Sequence, residues 1–127
     1  MSGALLRVRD LTVSVRRGER RYVAVRDVGF EVPAGGSLGV VGESGSGKSL
    51  TLRALMALLP RGVRAERGVV ELAGEALPFT GPGARRARRG RLAMVFQDPL
   101  SGLDPVYTVG TQVAEVPRRV LGASAAA

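Results

Sequence analysis

The chain has 127 residues, 45% of them hydrophobic, with nineteen basic residues against eleven acidic ones and neither cysteine nor histidine. These numbers exclude a disulfide scaffold and a thiolate metal centre, remove the usual general base and the commonest zinc ligand, and argue against disorder throughout. The net charge of +8 leaves nucleic acid, an anionic membrane surface or a phosphorylated ligand open as partners.

A chain of this length suits one domain, expected to span residues 1–127. No apolar run approaches the roughly 18 residues of a membrane span, and the start, MSGALLRVRD, lacks the apolar segment of a signal peptide. The expected compartment is the cytosol. In chain order, LLRVRDLTVSV (5–15) alternates in part and carries β-branched residues, which predicts a strand. RRGERR (16–21) reads as a turn, and YVAVRDVGFEV (22–32) as a second strand stopped by Pro33. SLGVV (37–41), short and apolar, reads as a buried strand. KSLTLRALMALL (48–59) has helical apolar spacing, ended by Pro60 and Gly62. GVVELAG (68–74) predicts another strand, residues 78–91 a loop with one helical turn, and RLAMVFQ (91–97) a strand ending at Gln97. DPLSGLDP (98–105) reads as loop, VGTQVAEVPRRVL (109–121) as a helix interrupted by Pro117, and GASAAA as a small-residue tail.

The chemistry lies in VVGESGSGKSL (40–50), which holds the only lysine, Lys48. Residues 42–49 match G-x-x-x-x-G-K-[ST], between an apolar stretch and a helix as the motif requires. A loop that wraps a phosphate turns its backbone N–H groups inward, in conformations that glycine adopts cheaply. Gly42, Gly45 and Gly47 suit that need, and Glu43, Ser44 and Ser46 complete the cradle. The start of the helix adds N–H donors and a positive dipole. Lys48 is expected to reach the β- and γ-phosphates and Ser49 to place its hydroxyl on Mg²⁺. A lysine here among arginines has a reason: a compact ammonium on a thin stem fits inside a closed loop where a planar guanidinium does not. Binding of a Mg–nucleoside triphosphate is the functional expectation.

With these motifs in hand, the chain resembles the N-terminal part of an ABC transporter ATP-binding subunit. Residues 5–60 and LAMVFQDPLSGLDPVYTVGTQV (92–113) carry the likeness. GESGSGKS, ALLP and FQDPLSGLDP most resemble the branch serving oligopeptide, dipeptide and nickel importers. The resemblance implies an α/β fold: the N-terminal part of a P-loop NTPase nucleotide-binding domain, with an antiparallel β subdomain and an incomplete core sheet. It implies ATP and Mg²⁺ as ligands. Gln97 becomes the glutamine of the Q-loop, near the metal and the attacking water. It also implies transmembrane permease subunits and a second ATP-binding subunit as partners, and a place on the inner face of the cell membrane. Where the family stacks an aromatic on adenine, this chain has Val15, and Tyr22 is the nearest aromatic.

Leu50 stands where many relatives have threonine, and neither an L-S-G-G-Q signature, a Walker B aspartate after four apolar residues, nor a switch histidine occurs in the sequence. A gene fragment, a frameshifted product or a truncated gene prediction is expected, with very slow or no ATP hydrolysis and a tendency to aggregate through uncovered strands. Two alternatives stay open: a non-catalytic nucleotide-binding module, and a nucleic-acid-associated protein using the arginine clusters at 16–21 and 85–91. With few aromatics beside those clusters, nucleic acid is the less favoured partner.

Overall fold

Partial alternation in the first thirty residues produces one long hairpin. In the computed structural model, which describes residues 3–98 and 102–122, β1 (Ala4–Arg17) turns through Gly18 and Glu19 into β2 (Arg20–Pro33). Gly18 takes a φ of 61°, a left-handed conformation that glycine adopts at little cost. β3 (Val63–Leu72) and β4 (Glu75–Leu77) complete an antiparallel four-stranded sheet in the order β2-β1-β3-β4. The strand expected at 68–74 therefore begins earlier and stops at Leu72, because Ala73 and Gly74 form the turn into β4.

β-bulges decide which residues are buried. Val8 and Leu11 lie three apart and would face opposite sides of a regular strand. Both are fully buried, because β1 carries Arg9 and Asp10 against Gly29 alone on β2. β2 returns the offset with Arg26 and Asp27 against Thr12, and a further extra residue at Ala24. Asp10 and Asp27 sit at these bulges with φ of 51° and 50°, a region that aspartate tolerates better than most residues. The result is a continuous apolar face containing Val8, Leu11, Val13, Val25, Val70 and Leu72. The opposite face carries ion pairs, among them Arg7–Glu31 at 2.5 Å and Arg9–Glu71 at 2.6 Å.

α1 (Lys48–Leu55) buries Thr51, Ala54 and Leu55, spaced as one helical face, and packs on β1. It is shorter than the expected 48–59, because Ala57 adopts φ 53°. The N–H of Leu58 then reaches Arg53 O and that of Ala57 reaches Ala54 O, which closes the helix in a Schellman motif. α2 (Gly83–Arg86) is the single turn expected in 78–91.

Two predicted strands do not form. Residues 37–41 and 92–96 have no strand pairing, and Val41 is 96% and Val95 90% exposed. A buried parallel strand needs a partner along its edge to take up its N–H and C=O groups. Neither segment pairs with a strand, so neither becomes one.

The chain divides into two compact units, Met1–Arg88 and Arg89–Ala127. The second contains α3 (Val109–Leu121), which begins at a Thr108 cap accepting the Thr111 N–H at 3.3 Å and ends at left-handed Gly122. α3 runs through Pro117 instead of being interrupted there. Proline removes the donor for Val113 C=O, and Val113 is exposed, so water can take that carbonyl's bond. Residues 99–101 and 123–127, in the predicted loop and tail, lie outside the described residues. Among the described residues no helix is long and apolar enough to cross a membrane.

Candidate functional site

The glycine loop at residues 42–49 lies within the Met1–Arg88 unit. Gly45 and Gly47 have φ of 82° and 95°, as a loop with inward-turned amides requires. Gly42 does not take a positive φ; a Cβ there would lie 2.6 Å from Ser46 Oγ, a side-chain tip that a change of rotamer can move. Gly47 is restricted in both φ and space. A Cβ on it would stand 2.8 Å from Val25 Cγ2 and 3.2 Å from Ala24 O. The loop therefore rests directly on the backbone of β2, and α1 starts from that seat.

The first turn of α1 leaves its leading N–H groups without helical acceptors. The first N–H bond of α1 runs from Thr51 to Gly47 O at 2.9 Å, and the Thr51 hydroxyl reaches the same oxygen at 2.9 Å. Lys48 folds back over the loop. Its Nζ donates to Gly42 O at 2.5 Å, Glu43 O at 2.7 Å and Ser46 Oγ at 3.2 Å. The loop is closed by Ser46 N–H to Glu43 O at 3.2 Å. One ammonium thus bridges Gly42, Glu43 and Ser46 of the loop. Unpaired helix-start amides beside a fixed cation form an anion receptor. A triphosphate fits this donor set, and nothing acidic is buried beside it to repel one. Ser49 is exposed, so its hydroxyl is accessible to a cation. Among the described residues no cluster of three or more acidic, histidine or cysteine side chains could hold a metal. A divalent ion here would rest on Ser49 and phosphate oxygens, the donor set magnesium favours.

A cavity of about 310 Å³ adjoins the loop, lined by Ala24, Val25, Arg26, Val28 and Phe30 of β2 together with Gly47, Lys48 and Thr51. Sequence reading missed these β2 residues. Alternation shows which face of a strand is buried but not which loop packs against it; the apolar Val23–Val25 run was the available signal. A larger groove of about 470 Å³ lies by Ala57 and Leu59, beyond the other end of α1.

Tyr22 is 51% exposed and pairs across the ladder with Val15. The extra residue at Ala24 puts Tyr22 on the same face as Val25, which supports the phosphate loop. Gln97 is exposed and belongs to the Arg89–Ala127 unit; the strand expected to end at it is irregular chain.

Several arginines of the two clusters have partners within the protein. Arg21 donates to Ser14 Oγ at 2.9 Å, and Arg16 to Gly18 O at 2.9 Å. Arg85 reaches Ala57 O at 3.2 Å, and Arg88 is buried. On the polar face of the sheet, Arg64 holds Glu66 at 2.6 Å and Arg67 pairs with Asp27. The Ser14 hydroxyl, followed by Arg64, holds the Glu66 carboxyl below its usual range.

Comparison with known proteins gives one consistent family. A family model described as ABC transporter matches residues 25–126. The glutathione import ATP-binding protein GsiA of Escherichia coli (strain K12) is 37% identical, over 90% of this chain and 19% of its own length. The GsiA of Shigella flexneri serotype 5b (strain 8401) gives the same figures. The oligopeptide transport ATP-binding protein OppD of Mycobacterium bovis is 45% identical, over 87% of this chain and 18% of its own. The chain thus spans about a fifth of the length of the curated relatives it matches.

Proposed function

The chain belongs to the ABC transporter family, and from that membership we propose that it supplies the phosphate-gripping part of an importer's ATP-binding subunit. The observation that carries the reading is the loop at Gly42–Ser49, seated on β2 through Gly47 and bridged by the Lys48 ammonium. Mg–ATP is the ligand. The loop amides and Lys48 hold the phosphates, with Lys48 exchanging its carbonyl partners for phosphate oxygens. Ser49 would hold a magnesium ion, which would supply charge neutralisation, and Gln97 is proposed as the Q-loop glutamine.

Tyr22 takes the adenine-stacking role from across the ladder. It faces the way Val15 faces, and it is accessible. The partners are permease subunits and a second ATP-binding subunit on the inner face of the membrane, and the transported solute is peptide-like, in keeping with the names of the relatives. Hydrolysis by this chain alone is far below about 1 s⁻¹, the low end of ordinary turnover, because the sequence offers no carboxylate base after an apolar strand.

Calorimetric titration of the folded chain with MgATP tests the reading. Saturable binding that Lys48→Ala abolishes is expected, and Tyr22→Ala should weaken ATP but not inorganic triphosphate. No heat from the wild-type chain refutes the function.

A further inference from the structure

The helix that carries the phosphate loop does not end cleanly by itself. α1 has eight residues, far fewer than an isolated helix needs in water. It terminates on Ala57 at φ 53°, a left-handed conformation that costs a residue with a Cβ. The Schellman bonds and the Met56 N–H satisfy Leu52, Arg53 and Ala54 carbonyls, which leaves Leu55 O.

Arg88 takes that oxygen. Its Nε donates to Leu55 O, and its Nη1 donates to Pro78 O at 2.6 Å and Ala84 O at 2.7 Å. The side chain is 2% exposed, its guanidinium lies 6.0 Å from the centroid of Phe79, and Nη2 has no hydrogen-bond partner among the described residues. No ion pair to a carboxylate occurs for it among the described residues. Burial lowers its pKa, the mark of an expensive cation. Arg85 adds a second donor, to Ala57 O at 3.2 Å. A buried guanidinium with only carbonyl partners is poorly spent on packing, since an apolar side chain fills space more cheaply. At the negative end of a helix dipole it has a specific use.

We propose that Arg88 is a positioning residue for the phosphate loop: it clamps the carboxyl end of α1 so that the amino end presents Lys48 and the loop amides in binding geometry. The inference rests on the reading of that loop as an ATP site. Without the clamp the strained end at Ala57 frays and α1 is docked only part of the time. Apparent affinity then falls by the docked fraction.

The test is hydrogen exchange and MgATP titration on the whole chain with Arg88→Met, which removes the charge and keeps the length. Expected are faster exchange of α1 amides without nucleotide, unchanged exchange in β1 and β2, and MgATP binding about tenfold weaker, as for a helix docked about a tenth of the time. Adding Ala57→Gly relieves the left-handed strain and should recover part of both losses. Unchanged α1 exchange in Arg88→Met overturns the clamp, as does faster exchange of α1 and sheet together, or no recovery with Ala57→Gly. Should Arg88→Met fail to fold, Arg85→Gln, an exposed donor to the same helix end, is read the same way: α1 exchange that stays at the wild-type rate counts against the clamp. Because exchange is read without nucleotide, a wild-type chain that bound no MgATP would refute the ATP reading and leave the clamp separately measurable.

Discussion

Gly47→Ala probes the seat of the phosphate loop on β2. The new Cβ meets Val25 Cγ2 at 2.8 Å and Ala24 O at 3.2 Å, at a φ of 95°. The left-handed conformation costs a residue with a Cβ about 1–2 kcal/mol. Forcing a methyl into a filled contact costs about 1–3 kcal/mol, so the total is about 2–5 kcal/mol. The loop can relieve this only by lifting off β2, which displaces the start of α1 and Lys48. The lower bound of about 2 kcal/mol corresponds to roughly thirtyfold in affinity. Val25→Ala removes Cγ2 but leaves the φ strain and the Ala24 carbonyl. The double variant Gly47→Ala with Val25→Ala should therefore recover about 1–2 kcal/mol relative to the sum of the single changes. Urea unfolding and MgATP titration of the four proteins measure it. Strict additivity, or a Gly47→Ala chain binding MgATP as the wild type does, refutes the contact as the reason for glycine here.

Gly68→Ala should destabilise the sheet by about 2–4 kcal/mol in urea unfolding, from combined backbone strain and overpacking. Its Cβ would stand 2.9 Å from Leu11 Cα and 3.3 Å from Arg9 O, both backbone atoms, at φ 136°. Glu66 gives a pH signature. Its folded-state pKa is depressed, by the Ser14 hydroxyl first and Arg64 second. Its contribution is therefore present above the unfolded-state value of about 4.3 and is lost as pH falls through the lower folded value. Glu66→Gln should flatten that acid slope in the urea midpoint, and an unchanged slope counts against the pairing.

The glycine loop was legible in the sequence because its features are local: Gly42 to Ser49 bring the turn, the glycines and the one lysine within eight consecutive positions. The hairpin was legible as two strands, but its face was not. Val8 and Leu11 share the core only because Arg9 and Asp10 bulge against Gly29, a cross-strand event that period-2 alternation cannot encode. Residues 37–41 and 92–96 misled for the converse reason. Their composition suits a buried parallel strand, but a strand exists only with a neighbour, and apolar character does not supply one. Pro117 misled because proline weakens a helix without forbidding it where the freed carbonyl meets water. Arg88 was invisible as a buried residue inside RRARRGR, since nothing in a run of arginines marks the one that turns inward.

The central claim, that amides and one ammonium clasp a triphosphate tail, is tested most directly by the affinities of ATP, ADP and AMP for the folded chain in magnesium. Affinity should fall steeply as terminal phosphates are removed, and Lys48→Ala should collapse the differences. AMP bound as tightly as ATP, with Lys48→Ala without effect, contradicts it.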